Sequence, residues 1–266
     1  MSILIIRPEV SVAKKMQDQS FDGIAGKFAK NIYDTSKGKL RQAVLLRDLL
    51  ERPELSRPCR ILDVGAGQGQ LALELASRGH QLTLTDLSAE MLQLAQQRAD
   101  AQQLQIECHQ LPLQQLTAQG WPAFPVVLCH AVLEWLEQPA EAIAQLRQLV
   151  APGGLVSLMF YNKDAKRLSN IIYGNFNYVL RDLTFKKKVR LSPQNPLQPE
   201  LVALWCQQAG FVIEQKTGVR CFHDYLRDRS EQETEYEQLL QVELMFNRQE
   251  PYASLGRYQH LVLKAV

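Results

Sequence analysis

The stretch Ile61-Leu62-Asp63-Val64-Gly65-Ala66-Gly67-Gln68-Gly69 decides how the rest of this chain is read. Ile61 to Val64 is an apolar run broken only by Asp63, as a buried strand requires. Glycines directly after a strand let the backbone turn sharply and approach a ligand closely, with the amides of the next helix behind them. A dinucleotide-binding fingerprint would need glycine at position 70, where this chain has Gln70. The spacing is G-x-G-x-G instead, with Asp63 two residues before the first glycine. Asp86 closes the next apolar run, 21 residues after Gly65. A carboxylate there can accept both hydroxyls of a ribose, which predicts a nucleoside site.

Outward from this loop, short apolar runs alternate with helical periods. Ile61 to Val64 reads as the first strand, followed by a helix ending at Gly79, and Leu82 to Thr85 as the second, ending at Asp86. Ser88 can cap a helix to about Ala101, with Glu90 in its first turn. Leu104 to Cys108 and Val126 to Cys129 are the third and fourth strands. A helix opens at Pro139 and stops at Pro152-Gly153-Gly154, and Leu155 to Tyr161 is the fifth strand. The alternation predicts an α/β fold with a doubly wound, Rossmann-like parallel sheet and helices on both faces. Residues 163–198 break the rhythm and read as a partly helical insertion over the carboxyl ends of the strands. A helix over Glu200 to Ala209, a strand from Phe211, an amphipathic helix over Glu231 to Phe246 and a strand over Arg257 to Leu263 complete the pattern.

Composition sets the frame. The chain has 266 residues, 46% of them hydrophobic and 22% charged, which excludes a mostly disordered or collagen-like protein. No apolar run reaches the roughly 20 residues of a membrane-spanning helix, and no signal-peptide core precedes Met16, so a cytoplasmic protein is expected. Cys59, Cys108, Cys129, Cys206 and Cys221 are scattered and odd in number, which suggests neither a zinc site nor a disulfide framework; buried free thiols are expected. No metal is called for.

The net charge is only +2, but it is unevenly spread. Lys163 to Arg190 holds eight Lys or Arg against Asp164 and Asp182, a local +6 that leaves −4 for the remainder. Tyr173, Phe176, Tyr178 and Phe185 interleave with these cations. Lys27 to Arg41 is a second basic stretch, with Asp34 its single acid. Cations among rings suit RNA, where lysines meet phosphates and rings stack on splayed bases; a solvated lid over a cofactor is the plainer alternative.

The glycine loop, Asp63 and Asp86, with Leu133-Glu134-Trp135 and Ala151-Pro152-Gly153-Gly154, resembles the class I S-adenosylmethionine-dependent methyltransferases. A sulfonium cofactor has no pyrophosphate to seat on helix amides, and an acid near its amino group serves instead. A closer resemblance is to the bacterial tRNA 5-carboxymethoxyuridine methyltransferase family. Phe21-Asp22-Gly23-Ile24-Ala25, Lys37-Gly38-Lys39-Leu40-Arg41, His130 to Trp135, Ser157 to Asn162, Gly174 to Tyr178, Lys186 to Pro193, Gly218 to Arg227 and Arg248 to Tyr252 carry it, over about residues 16–265. The domain expectation is therefore an extension over residues 1–15, with Met16 as an alternative start, and a single methyltransferase domain over 16–266.

The resemblance implies methyl transfer from S-adenosyl-L-methionine to the carboxylate of 5-carboxymethoxyuridine at the tRNA wobble position, with the anticodon stem-loop as partner and no obligate protein partner. It implies cofactor contacts from Arg41, Asp63, Gly65, Ala66, Gly67, Asp86, Leu87 and His130; Ala66 stands where some members have glycine. Lys186, Lys187, Lys188 and Arg190 are the expected RNA-binding residues. A carboxylate is already ionised at neutral pH, so no general base is expected. Candidates to hold it are Arg220, Arg257 and Arg41, with Tyr33, Tyr161, Asn162, His223 and Tyr225 as neutral donors. A small-molecule or carrier-protein carboxyl methyltransferase, and a noncatalytic cofactor-bound RNA-binding subunit, remain as alternatives.

Overall fold

The computed structural model describes residues 35–184 and 195–266. Among these, seven strands form one sheet: β1 (Arg60–Val64), β2 (Gln81–Asp86), β3 (Ile106–Gln110), β4 (Phe124–His130), β5 (Val150–Tyr161), β6 (Phe211–Val219) and β7 (Tyr258–Ala265). Their order is β3-β2-β1-β4-β5-β7-β6. The helices are α1 (Ser36–Leu50), α2 (Gln70–Ala76), α3 (Ala89–Ala101), α4 (Pro139–Leu149), α5 (Lys163–Ile172), α6 (Phe176–Leu180), α7 (Pro199–Gln208), α8 (Glu231–Thr234), α9 (Tyr236–Phe246) and α10 (Tyr252–Leu255). No described helix is long and apolar enough to cross a membrane.

Alternation along the strands sorts the core onto two faces. Leu62, Val64, Val127, Cys129, Val156 and Leu158 pack with Ile143 and Leu146 of α4 and Val202 and Cys206 of α7. Ile61, Leu84, Val126, Leu128 and Met159 pack with Leu40, Val44 and Leu49 of α1, Leu75 of α2 and Ala95 of α3. Both faces are covered, which explains why the central strands read as continuous apolar runs.

The sheet is mixed rather than all parallel. β1 to β5 are parallel neighbours, whereas β7 runs antiparallel to both β5 and β6. The connection from β6 to β7 makes no crossover: its two ends meet, with the Arg257 amide donating to the Arg220 carbonyl at 3.2 Å. A strand that starts where its predecessor ended has to run back.

Other boundaries differ for local reasons. The Leu104 amide donates to the Ala99 carbonyl and closes α3, so β3 starts at Ile106 rather than Leu104. Ser88 does cap α3, its Oγ accepting from the Met91 amide at 3.3 Å. The Pro-Gly-Gly segment lies inside β5, where the pairing with β4 shifts register, and Gly153 has φ +69°. The expected helix over Glu231 to Phe246 is broken at Glu235, with φ −112° and ψ 28°, into α8 and α9. The described part of the insertion is helical, as expected, in α5 and α6. All five cysteines are free; Cys129, Cys206 and Cys221 are buried, whereas Cys59 and Cys108 are only half-buried.

Candidate functional site

The glycine loop leaves the carboxyl end of β1 with Gly65 at φ +67°, Gly67 at +57° and Gly69 at +66°, all left-handed. A Cβ on Gly65 would lie 2.4 Å from Val132 Cγ2, and one on Gly69 would lie 2.8 Å from Leu84 Cδ2. Glycine is therefore demanded by conformation and by space together. Asp86, at the end of β2, ties the loop down: its Oδ2 accepts from the Gly67 amide at 2.8 Å and its Oδ1 from the Ser88 amide at 2.9 Å. Leu87 sits between these anchors, its carbonyl accepting from Gln110 Nε2. Ala66 is fixed by its amide donating to the Thr85 carbonyl.

Asp63 is buried under the loop. Burial, with the Asp86 charge nearby, pushes its carboxyl up to about 8. Gln68 is also buried, and neither of its side-chain polar atoms has a partner. A glycine cradle, a protonatable acid beneath it, a carboxylate at the next strand end and an orphaned buried amide suit a nucleoside with a cationic amino group.

Across the cleft, His130 ends β4. Its Nε2 lies 2.8 Å from Ser157 Oγ on β5, and Ser157 Oγ lies 2.7 Å from His260 Nε2 on β7. Burial, with His260 and Arg41 nearby, holds His130 well below the usual imidazole range. The same Arg41 charge acts on buried Glu134, whose carboxyl burial raises to about 7, and on Tyr258. Arg41 thus reaches from α1 to the carboxyl ends of β4 and β5. Glu134 and Ser157 carried no functional signal in the sequence beyond membership of a matching segment, and Tyr258 and His260 carried none.

The meeting ends of the β6–β7 connection build the second half of the site. Arg220 is ion-paired to Asp224, and Asp224 also takes a 3.0 Å hydrogen bond from His223 Nδ1. The guanidinium and imidazole together hold the Asp224 carboxyl below the ordinary carboxylate range. Arg257 Nε lies 3.8 Å from the same carboxylate, and the Arg257 guanidinium stands 4.8 Å from the centre of the Tyr161 ring. Lys166 of α5 approaches the Tyr161 and Tyr178 rings at 5.7 and 5.8 Å. Two arginines share one carboxylate, leaving the pocket net positive.

Several expected substrate donors are already committed. Asn162 is fully buried: its Oδ1 caps α5 through the Asp164 amide, and its Nδ2 donates to the Ser254 and Gly256 carbonyls. His223 is buried with one ring nitrogen on Asp224 and the other 3.1 Å from Ser36 Oγ. The Tyr225 hydroxyl donates towards the Ala165 and Leu255 carbonyls. These three hold the pocket wall together. Tyr161 is buried at the end of β5, with Arg257 and Lys166 over its ring. Tyr33, Lys186, Lys187, Lys188 and Arg190 lie outside the described residues.

A family model described as a methyltransferase domain matches residues 62–156. The chain is 44% identical to the tRNA 5-carboxymethoxyuridine methyltransferase of Escherichia coli (strain K12), over 94% of this chain and 97% of that protein. It is 32% identical to the ubiquinone biosynthesis O-methyltransferase of Alkalilimnicola ehrlichii, over 60% of this chain and 63% of that one. Among solved structures, the magnesium protoporphyrin IX methyltransferase of Synechocystis, with S-adenosylhomocysteine bound, superposes with a TM-score of 0.63 at 16% identity, covering 92% and 96% of the two chains. The strand order, the glycine cradle and these matches define a class I S-adenosylmethionine-dependent methyltransferase. Within that class, the chain belongs to the tRNA 5-carboxymethoxyuridine methyltransferase family.

Proposed function

We propose that this protein methylates the carboxylate of 5-carboxymethoxyuridine at the tRNA wobble position, forming the methyl ester. The supporting observation is the pairing of Arg220 and Arg257 over one shared carboxylate, beside Tyr161 at the carboxyl end of β5. Arg220 is the more buried of the two, its Nη2 on Asp224 and its Nε without a hydrogen-bond partner, whereas Arg257 is part-exposed and stands 3.8 Å from the same carboxylate. Arg257 is therefore the fork for the substrate carboxylate, with Asp224, held by Arg220 and His223, keeping it in position.

Asp86 would hold the ribose hydroxyls, the Gly65 to Gly67 backbone the cofactor's close approach, and Asp63 and Gln68 its amino-acid end. Once bound, S-adenosylmethionine supplies a methyl carbon made electrophilic by its sulfonium. The protein's part is alignment and exclusion of water, because the nucleophile is already an anion. The buried wall of Asn162, Tyr225 and Tyr161 gives Arg257 a fixed, low-dielectric setting. Carboxylates lacking an attached RNA would find the pocket but not the basic, aromatic insertion beside it.

The test is incubation of the purified protein with isotopically labelled S-adenosylmethionine and tRNA carrying 5-carboxymethoxyuridine, followed by nucleoside mass analysis. Labelled methyl ester in that nucleoside is the expected result. Label on a small-molecule acid and none on tRNA would overturn the assignment.

A further inference from the structure

The turn between α5 and α6 carries apolar side chains that the fold leaves bare. Phe176 is 61% exposed, Leu180 82% and Ile172 55%. Phe176 and Leu180 are four residues apart on α6, which puts them on one face, and no residue of that helix is buried. The backbone that carries them is fixed. Gly174 takes φ +74°, and its amide donates to the Ile171 carbonyl at 3.0 Å. The Asn175 amide donates to the Asn170 carbonyl at 2.8 Å, and Asn175 Nδ2 donates to Asn170 Oδ1 at 3.0 Å. Apolar side chains held outward on a fixed frame mark a contact surface.

Two anchors place this surface beside the substrate pocket. Before the turn, the Tyr173 hydroxyl donates to the Asp224 carbonyl at 2.9 Å, and the Arg229 guanidinium stands 5.2 Å from the centre of the Tyr173 ring. After it, Tyr178 turns inward to Lys166, which also reaches the Tyr161 ring. Asp224 and Tyr161 are the residues around Arg257. The bare face thus stands at the rim of the pocket.

Charge narrows the occupant. Lys163 and Arg167 take up Asp164 and Asp182, and among the described residues no acid pairs with Lys166 or Arg181. The charges that bear on Lys166 are those of Arg257 and Lys163, both positive. The segment from Lys163 to Arg190 sums to +6, so a second copy laid on the same face would bring like charges together. A polyanion with flat apolar faces answers both the cations and the bare side chains. Single-stranded RNA has that chemistry, with phosphates between bases that can stack.

We propose that Phe176, flanked by Ile172 and Leu180, is a stacking platform for the anticodon-loop bases next to the wobble uridine. The proposal rests on the proposed function, which brings that uridine to Arg257. With its base in the pocket, the uridine keeps its neighbours at the rim, where they have left their own stack and need another surface. Every base has a π-face, so the platform accepts loops of different sequence provided they are unpaired.

The test measures binding of a synthetic anticodon stem-loop carrying 5-carboxymethoxyuridine, at several salt concentrations, to the native protein, Phe176→Ala and Phe176→Trp. Phe176→Ala should weaken binding by roughly 5- to 150-fold at every salt concentration, the range for one base on one ring. The slope of log affinity against log salt should stay native, because a lost stack releases no counterions. S-adenosylhomocysteine affinity should stay native as well. Phe176→Trp keeps a ring and should keep the affinity, with its added indole emission quenched by the stem-loop. Native affinity in Phe176→Ala, or an indole that the stem-loop leaves unquenched, would overturn the platform. So would a loss of binding with a shallower slope, which belongs to phosphate contacts. Self-association that depends on Phe176 in sedimentation, or phosphatidylglycerol vesicles quenching or shifting the indole where the stem-loop does not, would assign the face to another partner and overturn it too. A native protein that binds the stem-loop through Phe176 but leaves it unmethylated would overturn the proposed function instead, and one that binds no stem-loop would overturn both.

Discussion

Asp63 shows how one residue can set the response of the whole protein to pH. Its carboxyl is held up to about 8 by burial and by Asp86, and Glu134 is raised to about 7 by burial. Both folded values lie above the ordinary ones, 3.8 and 4.5, so within that window the folded state binds more protons than the unfolded chain. Below about 6.5 the lowered imidazoles of His130 and His80 act in the opposite sense and offset this, so stability falls as pH rises from about 6.5 to about 8. Asp48 and Asp224 shift in the opposite direction, but their contribution is complete above the ordinary carboxylate value and does not fall in this window. The expected outcome is a melting temperature of the cofactor-free protein that declines over this range, with a shallower decline in Asp63→Asn. A cationic amino group bound over Asp63 favours its ionised form, so S-adenosylhomocysteine should flatten the slope in the native protein and do so less in the variant. Melting curves without a decline would show that Asp63 and Glu134 are ionised in the folded state. Asp86 makes a simpler case. Asp86→Ala removes the acceptor for the ribose and frees the Gly67 amide, so binding should weaken by about 1.5–3 kcal/mol, the scale of a charged hydrogen bond. Calorimetry giving native affinity in the folded variant would take Asp86 out of the site.

At the scale of elements, the loop between β1 and α2 carries the sharpest expectation. Gly65→Ala places a methyl 2.4 Å from Val132 Cγ2 and holds a non-glycine residue at φ +67°. The left-handed backbone alone costs about 1–2 kcal/mol. Val132 belongs to the turn that follows His130, so the displacement reaches both sides of the cleft. Cofactor affinity should therefore fall by more than global stability does, a comparison made by calorimetry beside denaturant unfolding. This loop was legible in the sequence because strand, glycine spacing and the acid at the next strand end are all local signals. So were the caps at Ser88 and Pro139, and the parallel strands whose apolar runs are buried on both faces. The run of β7 was not, since strand direction depends on where the 220–257 connection ends rather than on its composition. Nor was the line of buried hydrogen bonds that joins Asp48 through His260 and Ser157 to His130. Asp48 and His260 are 212 positions apart and look like ordinary polar residues of an amphipathic helix and an alternating strand. Asn162 and His223 appeared in matching segments, but sequence could not reveal that their hydrogen-bonding groups are consumed inside the wall.

For the molecule as a whole, charge placement decides how a nearly neutral chain can hold a polyanion. Of the eight cations between Lys163 and Arg190, four are described, and two of these, Lys163 and Arg167, are answered by local acids. Lys163 bonds Asp182 at 2.7 Å, and Arg167 pairs with Asp164 and approaches Asp182 at 3.5 Å. Cations already paired at the surface neutralise few phosphates, because each new ion pair has to displace an existing one. The +6 surplus is therefore carried by Lys166, Arg181, Lys186, Lys187, Lys188 and Arg190, of which the last four run together with no acid among them. If these four meet tRNA phosphates, replacing them all with Gln should weaken tRNA binding and leave S-adenosylhomocysteine affinity intact. Bound cations release counterions from the RNA, so the slope of log affinity against log salt should become shallower by up to roughly 3, at about 0.7 for each phosphate no longer neutralised on a single strand. The paired Lys163 and Arg167, replaced by Gln together, should change that slope by much less than one such phosphate would. Filter binding at several salt concentrations for the native protein and both variants separates the cases. Equal slopes for all three would assign RNA recognition to other residues, with Lys166 and Arg257 beside the Tyr161 and Tyr178 rings the next to replace. Loss of cofactor affinity in the fourfold variant, with the salt slope unmoved, would instead make the run a cover for the cleft.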